Sequence, residues 1–193
     1  MPKKGGIPDG WMNYTKLGDR IPGTPFIASK TPLSDRLCAL LPSPDFSYTP
    51  QELVEKISNK GHTVRMVIDL TATNRYYDPQ VFSTMNIEYV KIMTPGGGSV
   101  PCVELRIAFA EKVKGFKKIW KYSADDESVI CVHCTHGVNR AGYFICKYLV
   151  QCEGWNAEEV IRQFEMSRSH KFDRQYLVED ILRADPSTDQ LFF

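Results

Sequence analysis

Two residues set the chemistry to look for. Cys134 and Arg140 are separated by five residues in the string His133-Cys134-Thr135-His136-Gly137-Val138-Asn139-Arg140. An apolar, β-branched run, Ser128-Val129-Ile130-Cys131-Val132, stands before it, and a helical pattern follows it. A tight loop between strand and helix can wrap its backbone N–H groups around one anion, at the positive end of the helix. Thr135, His136, Gly137, Val138, Asn139 and Ala141 are the candidate phosphate-binding positions, mostly through those N–H groups. Gly137 can supply a positive φ or a close approach to phosphate. Arg140 can close the ring with a bidentate pair of hydrogen bonds to phosphoryl oxygens. Cys134 would lie at the bottom of this cradle, where helix dipole and arginine favour the reactive thiolate. The arrangement is a nucleophile aimed at phosphorus, and it needs no metal. Chance spacing in a buried turn is the competing explanation, and the flanking strand and helix argue against it.

Two neighbouring features invite other readings. Cys131 and Cys134 form a Cys-x-x-Cys pair, but a zinc site needs a second ligand pair and a redox site needs both thiols at a helix start. Alternation along a strand puts Cys131 on a different side from the loop of Cys134. Asp69 ends the strand-like run Val64–Leu70, where the sites of parallel sheets gather. It either orients loop residues or a water, or simply caps the turn toward Asn74-Arg75.

The elements that would position these residues follow from pattern. Val64–Leu70, Ile87–Ile92 and Ser128–Val132 read as strands. Thr49-Pro50-Gln51-Glu52 is a capping box with proline at the first helical position. Leu105 to Trp120 fits a long helix despite Gly115, Asn156-Ala157-Glu158-Glu159 opens another, and Tyr176 to Leu182 suggests a last one. Strands alternating with helices imply an α/β fold with a central, mostly parallel sheet flanked by helices. Residues 1–10 are expected to be a flexible leader, 11–184 a single domain, and 185–193 a loosely held tail whose Leu191-Phe192-Phe193 could dock on the body.

Composition narrows the function classes. The 193 residues carry 24 Lys+Arg against 23 Asp+Glu, so no global basic field attracts nucleic acid and any such site must be local. Lys112, Lys114, Lys117, Lys118 and Lys121 scatter around a helix and read as a solvated face. No apolar run spans a bilayer, and the first residues lack the apolar stretch of a signal peptide. A core-rich chain of this length needs no disulfide framework for its six cysteines, so a reducing compartment is expected.

The string from His133 to Arg140 resembles the signature of the cysteine-dependent phosphatases, the tyrosine and dual-specificity superfamily. Its longer form is similar to the RNA 5′-phosphatase branch, which includes the triphosphatase domain of animal capping enzymes and stand-alone RNA phosphatases of animals and baculoviruses. Ile21-Pro22-Gly23-Thr24, Lys30-Thr31-Pro32-Leu33, Ile68-Asp69-Leu70-Thr71, Arg75-Tyr76-Tyr77, Arg168-Ser169-His170 and Arg174-Gln175 are similar to that branch as well. The resemblance runs from about Ile7 to Leu182. It implies a cysteine-phosphatase fold, Cys134 and Arg140 as catalytic residues, and His133 as an orienter of the loop. It also implies removal of the γ-phosphate, and then the β-phosphate, from RNA 5′ ends; the alternatives are a dual-specificity protein phosphatase, or a module that holds 5′-triphosphate RNA with little turnover. No cofactor and no metal is implied. Arg75, Arg168 and Arg174 match basic positions that could contact the β- and γ-phosphates or the first nucleotides. Tyr76 and Tyr77 could stack on a base, with core packing the commoner fate. An RNA 5′ end as substrate, ribonucleoprotein or small-RNA-processing partners, no membrane, a monomer, and nuclear or cytoplasmic residence complete the expectation.

Two departures from the pattern bear on chemistry. Many cysteine phosphatases carry Ser or Thr after the loop arginine, where its hydroxyl assists hydrolysis of the phosphoenzyme; this chain has Ala141. Protein phosphatases of the group also place an aspartate general acid about thirty residues before the nucleophile. The corresponding stretch, Pro95 to Val103, holds no carboxylate, and Glu104 fits better in the first turn of a helix. A phosphoanhydride leaves as a stable phosphate and tolerates that loss. A phosphoserine or phosphotyrosine ester does not.

Overall fold

The computed structural model describes residues 6–120 and 126–184. Five strands form one sheet: β1 (Leu17–Arg20), β2 (Phe26–Lys30), β3 (Thr63–Asp69), β4 (Glu88–Lys91) and β5 (Ser128–Cys134), in the order β1-β2-β5-β3-β4. Only β1 runs antiparallel to its neighbour; β2, β5, β3 and β4 are mutually parallel. Seven α-helices accompany them among the described residues: α1 (Asp35–Cys38), α2 (Pro50–Ser58), α3 (Gln80–Thr84), α4 (Val103–Ile119), α5 (Asn139–Glu153), α6 (Ala157–Arg168) and α7 (Gln175–Leu182).

The central strand shows why the sheet needs two covered faces. Every residue of β5 is buried, as a parallel strand between two helical layers requires. Ile130, Val132 and Cys134 face a core built with Phe109, Phe144, Leu149, Phe164 and Ile181 of α4 to α7. Val129 and Cys131 face the opposite core, built with Trp11, Leu37, Leu53, Ile57 and Phe82. The parallel strands end together, so the loops after β2, β3, β4 and β5 meet at one edge of the sheet.

Local signals explain most of the helices. Thr49 and Glu52 form both halves of the capping box that opens α2. Asn156 caps α6 through the Glu159 N–H. Glu104 occupies the first turn of α4, as expected. The strands were harder to read. β1 and β2 were not anticipated, because Leu-Gly-Asp-Arg and Phe-Ile-Ala-Ser-Lys show neither alternation nor a β-branched run. β5 runs two residues past Val132, since His133 and Cys134 still pair with Ser29 and Lys30 of β2.

Residues 6–10, expected in a flexible leader, are instead held: Pro8 is buried and its carbonyl accepts the Trp11 N–H. Residues 1–5, Lys121, and the tail 185–193 with its docking Leu191-Phe192-Phe193 lie outside the described residues. Among the described residues no helix is long and apolar enough to cross a membrane.

Candidate active site

The strand–loop–helix turn from β5 to α5 has the shape of an anion cradle. Cys134 closes β5 and is 3% exposed, and α5 begins at Asn139. Gly137 sits at φ +72°, and a Cβ there would lie 2.2 Å from the Ser29 carbonyl oxygen of β2. Both reasons for glycine, a left-handed backbone and a close approach, therefore apply at this position.

The loop carbonyls are turned outward and held. The Thr31 N–H donates to the Thr135 carbonyl at 3.2 Å. Arg168 donates to the Gly137 carbonyl (Nε, 2.9 Å) and to the His136 carbonyl (Nη2, 3.0 Å). A peptide's N–H points opposite to its C=O, so the N–H groups of His136, Gly137 and Val138 face the other side. Among the described residues no main-chain acceptor takes them. That side is a cleft of about 200 Å³, lined among others by Cys134, Thr135, His136, Asn139 and Arg140.

Arg140 is fixed by oxygens that carry no formal charge. Its Nη1 donates to the carbonyls of Leu70 (3.0 Å) and Thr94 (2.8 Å), and its Nη2 to the Thr135 hydroxyl (2.8 Å). The guanidinium is thus aimed without being neutralised, and its full charge remains for an anion in the cleft.

Beneath the nucleophile lies a buried polar network. His133 is fully buried, with Nε2 at 2.6 Å from the Tyr77 hydroxyl. The Asp69 carboxylate accepts from the Thr71 N–H, the Tyr89 hydroxyl and the Lys91 ammonium at 2.7, 2.9 and 2.9 Å, and from Tyr77 at 3.3 Å. Burial works to raise the Asp69 pKa, but the facing His133 and Lys91 and the hydrogen bonds from Lys91 and Thr71 outweigh it and hold it below the usual range. Burial pushes the His133 imidazole toward its neutral form. Asp69 is therefore both strand-end cap and network centre. A depressed folded-state pKa stabilises the fold fully above the unfolded value of about 3.9, and this is lost as pH falls through the folded value. Melting temperature measured from pH 6 to pH 2 is expected to drop less steeply in Asp69→Asn, from a lower starting point. An unchanged acid limb would refute that role.

Several expectations about individual residues change here. Arg168, read as a possible RNA contact, is 1% exposed and spends its donors on the loop and on Thr15, so it braces the loop and does not meet RNA. Arg75 lies over the Tyr76 ring, 5.1 Å from its centroid, and is not among the residues lining the cleft. Tyr76 and Tyr77 are buried in the core, which withdraws base stacking. Arg174 does line the cleft, beside Tyr176. Asn139 joins Asp173 by a reciprocal pair of hydrogen bonds at 3.0 and 2.9 Å. His136 stacks on Tyr14 with ring centroids 4.6 Å apart, and its Nε2 donates to the Asp9 carbonyl. Val138 and Ala141 are fully buried. Cys131 faces the opposite core from Cys134, and burial pushes its thiol up to about 12.

Thr94, Lys91 and Thr15, which the sequence did not flag, complete the site: Thr94 offers a carbonyl to Arg140, Lys91 serves the network, and Thr15 meets Arg168. Leu70, Tyr77 and Lys30, which lie in the segments similar to the RNA phosphatases, take structural parts in it: a carbonyl to Arg140, a hydroxyl beside His133, and a brace on the N-terminal segment. The Tyr176 hydroxyl donates to the Gly97 carbonyl at 2.6 Å and pins the glycine-rich lip of the cleft. Among the described residues that line the cleft there is no carboxylate.

Residues 48–184 match the family described as dual specificity phosphatase, catalytic domain. The chain is 41% identical over 181 residues to the RNA/RNP complex-1-interacting phosphatase of Homo sapiens, covering 93% of this chain and 53% of that protein. It thus spans about half the length of that relative. It is 35% identical over 176 residues to a tyrosine-protein phosphatase of Autographa californica nuclear polyhedrosis virus, covering 91% of this chain and 99% of that one. The crystal structure of PTPMT1 superposes with a TM-score of 0.60 at 18% identity, over 86% of this chain and 90% of the other. That likeness speaks to the fold alone.

Proposed function

The chain belongs to the dual specificity phosphatase family, and from that premise we propose that it is an RNA 5′-phosphatase that removes the γ-phosphate, and then the β-phosphate, from triphosphorylated ends. The observation that carries this reading is the cleft wall. Where an ester-cleaving enzyme needs a proton donor, this wall is Pro95, Gly96, Gly97, Ser99 and Pro101. An alkoxide or phenoxide leaving group loses the 10²–10⁴-fold that a positioned acid supplies. A diphosphate or phosphate leaving group needs little help. The human relative's name, which couples a phosphatase to RNA and ribonucleoprotein complexes, points the same way, and ribonucleoprotein partners are part of this proposal.

In this reaction the Cys134 thiolate attacks the terminal phosphorus in line with the leaving oxygen. The P–O bond to the diphosphate breaks as the S–P bond forms. Arg140 and the inward N–H groups take up the charge on the equatorial oxygens. Water then attacks the phosphocysteine, releasing inorganic phosphate and restoring the thiolate. Ala141 offers no hydroxyl to assist this second step, so water or the loop must stabilise the departing sulfur. Arg174, which lines the cleft, is available to phosphates beyond the first.

Phosphate release from a short 5′-triphosphate RNA in EDTA, run beside a phosphotyrosine peptide, tests the proposal. Rapid RNA turnover, at least about 100-fold faster than peptide turnover by the missing-acid argument, is the expected result. Peptide turnover alone would move the activity to protein substrates, as the name of the viral relative suggests. Loss of all turnover in EDTA would overturn the metal-free mechanism.

A further inference from the structure

Two buried cations stand beside the phosphate loop without a carboxylate. Lys30 is 2% exposed and Arg168 is 1% exposed. Among the described residues neither takes part in an ion pair. Their donors go to oxygens without formal charge. Lys30 Nζ donates to the carbonyls of Trp11 (3.2 Å) and Tyr14 (3.0 Å) and lies 3.5 Å from the centroid of the Trp11 ring. Arg168 binds the carbonyls of His136, Gly137 and Thr15 and the Thr15 hydroxyl. The two side chains therefore clamp the N-terminal segment against the loop. Strand pairing sets Lys30 directly opposite Cys134.

This arrangement is costly for the empty protein. A buried charge without a counter-ion is expensive, and two of one sign add repulsion. Burial, with the charges of Lys16 and Arg168, pushes the Lys30 ammonium down to about 8. Burial likewise pushes Arg168 down to about 10, although Tyr48, Cys134, Cys131 and Tyr14 face it. Burial raises the pKa of Tyr48, Cys131 and Tyr14, which keeps them neutral. The facing group that must become an anion in the reaction is Cys134. A fold built for stability alone would place apolar side chains at these positions.

We propose that Lys30 and Arg168 are positioning residues of the anion site: Arg168 holds the loop carbonyls away from the cleft, Lys30 holds the N-terminal segment that Arg168 also grips, and together they supply a buried positive field that the Cys134 thiolate or a bound phosphoryl group balances. The inference rests on cysteine-phosphatase chemistry and is independent of the RNA reading, because inorganic phosphate suffices as its probe.

The test compares Lys30→Met with Lys30→Arg, and Arg168→Met with Arg168→Lys. Two readouts are taken on folded protein: the affinity for inorganic phosphate, and the rate of iodoacetamide alkylation of Cys134 at pH 7. Each methionine variant is expected to lose about tenfold in both, the scale of one charge interacting across a partly shielded interior. Each charge-keeping variant is expected to recover to within about threefold. Variants that only melt earlier, with phosphate affinity and alkylation rate as in the wild type, would show a merely structural role and overturn the proposal. Should Lys30→Met not fold, Lys30→Gln keeps one donor to a carbonyl without the charge, and the same two readouts decide.

Discussion

Replacing Cys134 with serine is expected to lower phosphate release from 5′-triphosphate RNA by on the order of 10⁵-fold, while the RNA still binds. The serine hydroxyl keeps the position of the thiol but not its acidity, so it needs a base to become a nucleophile. Among the described residues the cleft lining offers none. Its imidazole, His136, is committed to the Asp9 carbonyl, and the adjacent guanidinium of Arg140 can only donate. Binding has no such dependence, because the loop N–H groups and Arg140 remain in place. Filter binding of labelled RNA is therefore expected to stay within about threefold of wild type. Acid quenching during turnover should trap labelled phosphoprotein from the wild type and none from the variant. Residual release above about one per cent of wild type would mean that water attacks phosphorus directly, and that the phosphocysteine is not on the path.

The motif was legible because all its parts lie in one contiguous turn. Spacing alone tells which residues a strand–loop–helix brings together, and Cys134, Gly137 and Arg140 needed no tertiary information. What braces that turn comes from distant chain and left no periodic trace. Lys30 ends a fully buried strand in which alanine, serine and lysine hide the apolar pattern, so β2 could not be read, and Lys30 stands out only as part of a family-like segment, without its inward role. Arg168 closes a helix as a surface arginine would, and only the fold turns it inward to the loop carbonyls. Tyr77, from the loop after β3, reaches Asp69 and His133, and Lys91, at the end of β4, reaches Asp69, a convergence that a one-dimensional pattern cannot encode. The same limit explains the opposite error at Arg75, whose charge suggested phosphate but whose position faces Tyr76. Short-range chemistry was readable, and long-range support was not.

Gly137→Ala is expected to be the most damaging glycine-to-alanine change among the described residues, and a second glycine provides the control. Gly137 and Gly154 hold nearly the same left-handed backbone, at φ +72° and +71°. Alanine in that region costs about 1 kcal/mol at either position. The surroundings then separate them. At Gly154, which caps α5, a Cβ meets nothing within 4 Å. At Gly137 it would lie 2.2 Å from the Ser29 carbonyl oxygen and 2.6 Å from the Lys30 nitrogen. Those atoms belong to β2, which is paired on both sides and cannot retreat alone. Relief must come from the loop, which moves into the cleft and away from Arg168. Overpacking of this kind adds about 1–3 kcal/mol. At about 2–4 °C per kcal/mol for a domain of this size, Gly137→Ala should melt roughly 4–16 °C below the wild type, and Gly154→Ala only about 2–4 °C below. Activity should diverge further. A loop displaced by about 1 Å loses on the order of 100-fold in turnover, whereas Gly154 is far along the helix from the cleft and its variant should turn over as the wild type does. Equal melting points and equal rates for the two variants would show that the loop does not need the close approach to β2, and the bracing by Arg168 and Thr31 would then have to be reconsidered as incidental.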